Sequence, residues 1–188
     1  MRQIFYIHGF ASGKNSSTGN WILNNFDNVH LLEYNSTGTY QDNLNSLITQ
    51  IKDAVNPEKD RILLIGSSLG GFYAADIVGR IPIRTKCILI NPSITPQKSL
   101  KQFIGENINF STNEKFILTQ DIVNSYPQSI NKAKFTGIDA YVFLGKNDEV
   151  LDYRVAEKFF KGRAAIEYLN CGHRLNTYDR LKEIISEL

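Results

Sequence analysis

The sequence has few of the residues that bind metals or form disulfides. Its 188 residues include two cysteines, Cys87 and Cys171, and three histidines. The cysteines lack C-x-x-C spacing and the histidines lie far apart, so neither type suggests a set of metal ligands. Because no secretion signal is evident, we expect two reduced thiols and a cytoplasmic protein. The sequence therefore predicts no metal site.

Long apolar runs are also missing. Runs such as Ile62–Ile65 and Cys87–Ile90 fall far short of the roughly 18 residues that cross a bilayer. The run Ile4–Ile7 near the N-terminus is shorter than the roughly 7–15 residues of a signal-peptide core. We expect no membrane span, and we interpret this first run as a strand.

Concentrated charge of one sign is likewise absent. The formal net charge is +2, the basic residues form no stripe, and there is no acidic tail, so we expect no nucleic-acid partner. A hydrophobic fraction of 42% and a charged fraction of 21% argue against wholesale disorder. A chain of this length suits a single domain, which we place over residues 1–188.

Strand-sized apolar runs alternate with amphipathic stretches along the chain. The predicted strands are Gln3–Ile7, Val29–Glu33, Arg61–Ile65, Lys86–Ile90, Ala140–Leu144 and Ala165–Leu169. The predicted helices are Asp42–Ala54, Leu69–Arg80, Val155–Lys161 and Asp179–Leu188. Continuous apolar strands suit a parallel sheet buried on both faces. The pattern predicts a three-layer α/β fold of about six mainly parallel strands with helices on both faces.

The segment Asn91–Phe135 breaks this alternation. It has no strong strand pattern and contains Pro92, Pro96 and Pro127. It is too long for an ordinary connection, so we expect short helices within it. We interpret residues 92–135 as a small cap-like insertion.

The strongest motif is Gly66-Ser67-Ser68-Leu69-Gly70, which follows a buried strand and precedes a helix. This is G-x-S-x-G in the strand–turn–helix context of the α/β-hydrolase fold, and it predicts Ser68 as a nucleophile. Ser67 has the wrong spacing from the glycines. The alternative is a glycine-rich turn that serves packing alone.

A serine nucleophile needs a base and an acid, which follow it in this fold in the order acid, histidine. His173, just after the last predicted strand, is the only histidine beyond Ser68. Asp148 follows the strand before it and is the predicted acid, with Glu149 and Asp152 as alternatives. We expect Asp152 to begin the next helix and to cap it.

An oxyanion hole needs two N–H donors. We predict the backbone N–H groups of Leu69 and Phe10, with His8 shaping the loop rather than doing chemistry. We expect the acyl part of a substrate to contact Phe10, Leu69 and Phe103. Ile104, Phe110 and Phe116 are further candidates, although the same apolar residues would equally suit a core within the cap.

Two other functions compete with this one. The stretch HGFASGKNS resembles a phosphate-binding loop, but His8 replaces its first glycine and Asn15 follows Lys14 where a Mg²⁺-binding hydroxyl belongs. A non-catalytic α/β-hydrolase fold that binds a ligand or a protein is the alternative function. Such proteins typically lose a triad residue, and here all three positions are filled.

The chain resembles the YqiA/YcfP-like esterases, small members of the α/β-hydrolase superfamily. The resemblance covers nearly the whole chain. It rests on YIHGFASG, GSSLGGFYAA, INPSITP, GENINFSTNEKFIL, NDEVLDYR and CGHRL.

This resemblance implies a cofactor-free hydrolase of small carboxylic esters or acyl thioesters. Its serine, aspartate and histidine correspond to Ser68, Asp148 and His173. Two departures from the expected pattern are Lys146–Asn147 before the acid and Arg174–Leu175 after the base. They affect the pocket, and Arg174 is a residue that could attract an anionic substrate.

Overall fold

The computed structural model describes residues 1–131, 135 and 139–188, which form eight strands and seven α-helices. The strands are β1 (Arg2–Ile7), β2 (Val29–Leu32), β3 (Arg61–Ser67), β4 (Thr85–Ile90), β5 (Gly105–Ile108), β6 (Lys115–Leu118), β7 (Asp139–Gly145) and β8 (Ala165–Leu169). The helices are α1 (Ser17–Asn25), α2 (Tyr40–Ala54), α3 (Leu69–Ile77), α4 (Pro96–Leu100), α5 (Gln120–Ser125), α6 (Tyr153–Phe160) and α7 (Asp179–Glu187).

Six strands form one sheet in the order β2-β1-β3-β4-β7-β8, and every neighbouring pair is parallel. Alternate residues of a strand face opposite sides, so Ile4 and Tyr6 of β1 belong to one apolar cluster and Phe5 and Ile7 to the other. Helices α2, α3 and α6 cover the face that holds Phe5, while α1 and α7 cover the opposite face. The chain therefore has the predicted three-layer architecture.

The six predicted strands are all present, with ends that differ by at most two residues. Helix α1 was not predicted, because among its residues only Gly19 and Ile22 are buried and no apolar stripe marks it. Ser16 begins this helix by accepting the N–H of Gly19 at its hydroxyl oxygen. Helix α3 ends at Ile77, earlier than the predicted Arg80.

The segment after β4 contains the expected short helices, α4 and α5, and also a hairpin that was not expected. Strands β5 and β6 pair antiparallel, from Gly105 opposite Leu118 to Ile108 opposite Lys115. Each strand has four residues, too few to show a clear period of two in sequence. Residues 132–134 of the predicted cap-like insertion lie outside the described residues. In the described ranges, no helix has the length and apolar character that would let it cross a membrane.

The turn between β3 and α3 packs directly against the end of β1. A Cβ atom at Gly70 would lie 2.2 Å from the carbonyl oxygen of Ile7 and 2.3 Å from that of His8. Both neighbours are backbone atoms, one in the last residue of β1 and one directly after it, so they cannot move aside cheaply. Glycine at position 70 thus lets the helix begin beside β1.

We expect Gly70→Ala to lower the free energy of unfolding by about 1–3 kcal/mol or more, because the added methyl must displace backbone. Gly9→Ala is the matched control. There the tightest contact of the added Cβ is 3.3 Å, to the Cβ of Ser68, so the loss should stay below about 1 kcal/mol. Urea unfolding followed by circular dichroism measures both, and equal stability losses in the two variants would contradict this account.

Candidate active site

Ser68, His173 and Asp148 meet at the carboxyl edge of the sheet. Ser68 follows β3, Asp148 follows β7, and His173 follows β8, and parallel strands bring these ends to one edge. Ser68 Oγ lies 2.9 Å from His173 Nε2, and His173 Nδ1 lies 2.8 Å from Asp148 Oδ2. Three side chains from distant parts of the sequence thus form one continuous hydrogen-bonded chain.

The backbone holds Ser68 in an unusual conformation. Its φ is 55° and its ψ is −118°, a region that costs a non-glycine residue about 1–3 kcal/mol. The Ser68 N–H donates to the carbonyl of Ile90 at 2.9 Å, and the Ser68 carbonyl accepts from the N–H of Ser93 at 3.0 Å. These bonds to the end of β4 and the loop after it hold the strained turn.

Asp148 is buried and fully used as an acceptor. Its side chain is only 1% exposed, and its Oδ1 accepts the N–H groups of Val150 and Leu151 at 2.8 Å each. Oδ2 is then left for the imidazole of His173. Hydrogen bonds at both oxygens therefore fix the carboxylate.

The two alternative acids have other partners. Glu149 Oε2 accepts the backbone N–H of His173 at 2.9 Å, and this hydrogen bond holds the pKa of Glu149 below its usual value. Asp152 accepts the N–H of Arg154 and begins α6, as the sequence predicted. Neither carboxylate bonds to the His173 ring in the described residues.

The hydrogen-bond partners of His173 assign its protons. Because a carboxylate can only accept, Nδ1 donates to Asp148. In the neutral ring Nε2 then has a free lone pair, which accepts the hydroxyl proton of Ser68. The imidazole is placed to take a proton from Ser68 and to keep the resulting charge beside a carboxylate.

Asn91 is a residue of this site that the sequence did not reveal. It is buried, and its Nδ2 donates to the carbonyls of His173 at 2.8 Å and Gly172 at 3.2 Å. Its Oδ1 accepts the N–H of Gly145 at 2.7 Å. One side chain therefore ties the His173 loop to the end of β7. A polar residue at the carboxyl end of a buried strand was the only signal for it.

The loop after β1 passes directly over Ser68. A Cβ atom at Gly9 would lie 3.3 Å from Ser68 Cβ and 3.9 Å from Ser68 Oγ, so the residue before Phe10 is close to the hydroxyl. The other predicted donor, the N–H of Leu69, is the first of α3 and has no acceptor within the helix. That the N–H groups of Phe10 and Leu69 form an oxyanion hole stays a prediction.

His8 holds the peptide that contains the Phe10 N–H. Its Nδ1 lies 2.8 Å from the carbonyl oxygen of Gly9, so Nδ1 carries a proton and donates it. The Gly9 carbonyl and the Phe10 N–H belong to one planar peptide unit, so a bond at one end orients the other. His30 lies elsewhere, where it bonds to Gln3 and stacks on Phe5.

Burial disfavours the charged form of His8. The residue is 1% exposed, and its ring stacks on Tyr34 at 4.5 Å between centroids. Among the described residues, its Nε2 has no hydrogen-bond partner. Removal from water lowers the pKa of His8 below its ordinary value of 6.5.

The predicted acyl-contact residues are only partly accessible. Phe10 lies 5.3 Å from Phe103 and 5.7 Å from Phe116 between ring centroids, so the loop after β1 and the segment after β4 share an aromatic cluster. The side chain of Leu69 is 2% exposed and offers little surface to a substrate. Phe110, in contrast, is 68% exposed.

Comparison with protein families gives a match over residues 3–186 to the model of the Uncharacterised protein family (UPF0227). A UPF0227 protein of Pectobacterium carotovorum is 26% identical over 152 residues, which are 79% of this chain and 77% of that protein. A UPF0227 protein of Pectobacterium atrosepticum is 25% identical over the same length.

Solved structures of α/β hydrolases share the fold. A structure from work on LipS and LipT, two metagenome-derived lipolytic enzymes, has a TM-score of 0.75 at 14% identity and matches 99% of this chain and 92% of its own. Est1E from Butyrivibrio proteoclasticus has a TM-score of 0.71 at 16% identity, with 99% and 87% covered. At such low sequence identity, these structural matches establish the fold alone.

The family match confirms the resemblance to the YqiA/YcfP-like proteins seen in the sequence motifs: the chain belongs to the UPF0227 family and has the α/β-hydrolase fold.

Proposed function

We propose that this protein is a cytoplasmic serine hydrolase that cleaves small carboxylic esters or acyl thioesters through an acyl-enzyme. The observation that carries the proposal is the hydrogen-bonded chain from Ser68 Oγ through His173 to Asp148, with links of 2.9 and 2.8 Å. The buried free thiols of Cys87 and Cys171 suit a reducing compartment.

In the first half of the reaction, Ser68 Oγ forms a bond to the acyl carbon while its proton passes to His173 Nε2. Asp148 stabilises the imidazolium and keeps Nδ1 protonated. When the tetrahedral intermediate collapses, the bond to the leaving oxygen or sulfur breaks, and that atom takes the proton from His173. The acyl group remains on Ser68 as an ester.

In the second half, water replaces the alcohol or thiol. His173 takes a proton from the water as its oxygen attacks the acyl carbon, and returns it to Ser68 Oγ as the acid leaves. The N–H groups of Phe10 and Leu69 hold the oxyanion in both halves. Donors fixed before the reaction begins stabilise the developing charge without reorganisation, and losing one costs about 3–4 kcal/mol of barrier.

Two further observations support an ester substrate. LipS and LipT are lipolytic enzymes, and Est1E, which shares the fold, also has a solved structure with ferulic acid bound. The aromatic cluster of Phe10, Phe103 and Phe116 beside the oxyanion loop would contact an acyl chain. We accordingly propose that the segment after β4 acts as a small cap over the acyl group.

We expect a fluorophosphonate probe to label the native chain at Ser68, because the hydroxyl bonded to His173 is the activated one. Ser68→Ala should abolish the labelling, whereas Ser67→Ala, its matched control, should keep it. Mass spectrometry of the labelled peptide locates the adduct. Equal labelling of the native chain and Ser68→Ala would exclude Ser68 as the nucleophile.

Asp148→Asn should lower kcat for p-nitrophenyl acetate by roughly 10³–10⁴-fold, because an amide favours the wrong tautomer of His173. Glu149→Gln is the control. Its side chain accepts only a backbone N–H from His173, which an amide oxygen also accepts, so kcat should fall less than about tenfold. A larger loss at position 149 than at position 148 would reverse the assignment of the acid.

The buried His8 should make stability depend on pH. As pH falls through about 6.5, the unfolded chain binds a proton at His8 that the folded chain does not, because the folded pKa is lowered. The free energy of unfolding should therefore decrease below about pH 6.5. In His8→Asn, urea titrations from pH 5 to 8 should show a shallower decrease.

His8→Asn, compared with His8→Leu, also tests the role of His8 in the loop after β1. An asparagine amide can still donate to the Gly9 carbonyl, so His8→Asn should keep most of kcat. His8→Leu, which cannot donate, should lower kcat by about tenfold or more through a misplaced Phe10 N–H. Similar kcat values for both variants at pH 8 would show that the hydrogen bond to Gly9 does not matter for turnover.

A further inference from the structure

Arg174 is an exposed cation immediately after the proposed base. In the described parts of the chain, no acidic side chain forms an ion pair with it. Its guanidinium instead lies over the ring of Phe110, with Cζ 5.3 Å from the centroid. An arginine held by an aromatic face keeps its full charge and all its N–H donors available.

Phe110 fixes where this charge lies. The N–H of Phe110 donates to the carbonyl of Ala11 at 2.8 Å, and Ala11 directly follows the proposed oxyanion donor Phe10. Arg174, which follows His173, therefore contacts a residue that is bonded to the loop after β1. From this we infer that its charge lies at the rim of the proposed active site.

The other charged side chains near Arg174 are held in different ways. Lys14, in the loop after β1, is paired with Glu33 at 3.4 Å. The carboxylate of Asp148 faces His173, and that of Glu149, which forms no ion pair among the described residues, accepts the backbone N–H of His173. Of the two cations Lys14 and Arg174, only Arg174 lacks an acidic partner in the part of the chain that the structure describes.

We propose that Arg174 selects substrates with an anionic group, such as a carboxylate, sulfonate or phosphate. This inference rests on the proposed function. Arg174 directly follows the proposed base, and its guanidinium lies on Phe110 of the segment after β4. An unpaired charge at the rim of a site raises both the encounter rate and the affinity of an oppositely charged substrate.

Three acyl esters separate the effect of charge from that of its position. Phenyl acetate is neutral, 4-acetoxybenzenesulfonate has its charge on the leaving group, and phenyl hydrogen adipate has its charge on the acyl chain. For Arg174→Gln we expect kcat/KM to fall about three- to tenfold for at least one of the two charged esters and less than about twofold for phenyl acetate. The ester with the larger loss shows which part of the substrate lies nearer the charge. The loss should shrink in 0.5 M salt, where exposed charges are screened over about 4–5 Å.

Three further variants complete the test. Arg174→Lys keeps the charge and should keep most of the preference for the charged ester. The double variant Lys14→Gln/Glu33→Gln removes an ion pair of no net charge, so it should leave the preference within about twofold of the native value. Glu33→Gln alone should raise the preference, because it frees the charge of Lys14.

The results separate this inference from the proposed function. Hydrolysis of phenyl acetate with an unchanged substrate preference in Arg174→Gln would overturn the role of Arg174 and leave the serine hydrolase intact. A loss for phenyl acetate as large as the loss for the charged esters would also overturn the role of its charge. No turnover of any of the three esters, with no probe labelling at Ser68, would overturn both proposals.

Discussion

The close approach of the β3–α3 turn to the end of β1 is the constraint on which the site depends. Gly70 leaves no space for a side chain between the turn and the carbonyls of Ile7 and His8. The same contact accompanies the close approach of Gly9, in the loop after β1, to Ser68, so that the residue before the proposed oxyanion donor Phe10 adjoins the hydroxyl. Strain at Ser68 is tolerated because β4 and its following loop bind the turn through the carbonyl of Ile90 and the N–H of Ser93.

Side chains outside the proposed triad hold the triad residues in place at this edge of the sheet. Asn91 joins the carbonyls of Gly172 and His173 to the N–H of Gly145, so the base and the strand that leads to the acid are held together. Glu149 holds the backbone N–H of His173. Hydrogen bonds to the ring and to the backbone N–H of His173 therefore both orient its imidazole. They limit its motion and so keep the three side chains in place for a proton transfer.

The loop after β1 is supported from below by aromatic rings. His8 stacks on Tyr34, and Tyr34 in turn contacts Tyr73, whose hydroxyl lies 2.8 Å from that of Tyr126. A neutral His8 suits this setting, since a charged ring without a partner would be costly to bury. The apolar layer under the sheet thus extends to the peptide that orients the Phe10 N–H.

The sequence by itself determined the class of fold and the serine and histidine of the proposed triad. Continuous apolar runs predicted the parallel strands, and G-x-S-x-G after such a run pointed to Ser68, because steric limits at a sharp strand–helix turn are local. Loop position left Asp148, Glu149 and Asp152 all open as acids. Only the tertiary structure distinguished them, since one carboxylate bonds to the ring, one to a backbone N–H and one to a helix end. It alone also showed Asn91, the β5–β6 hairpin and the contact of Arg174 with Phe110, because these depend on segments that meet only after folding and leave no periodic trace in the chain.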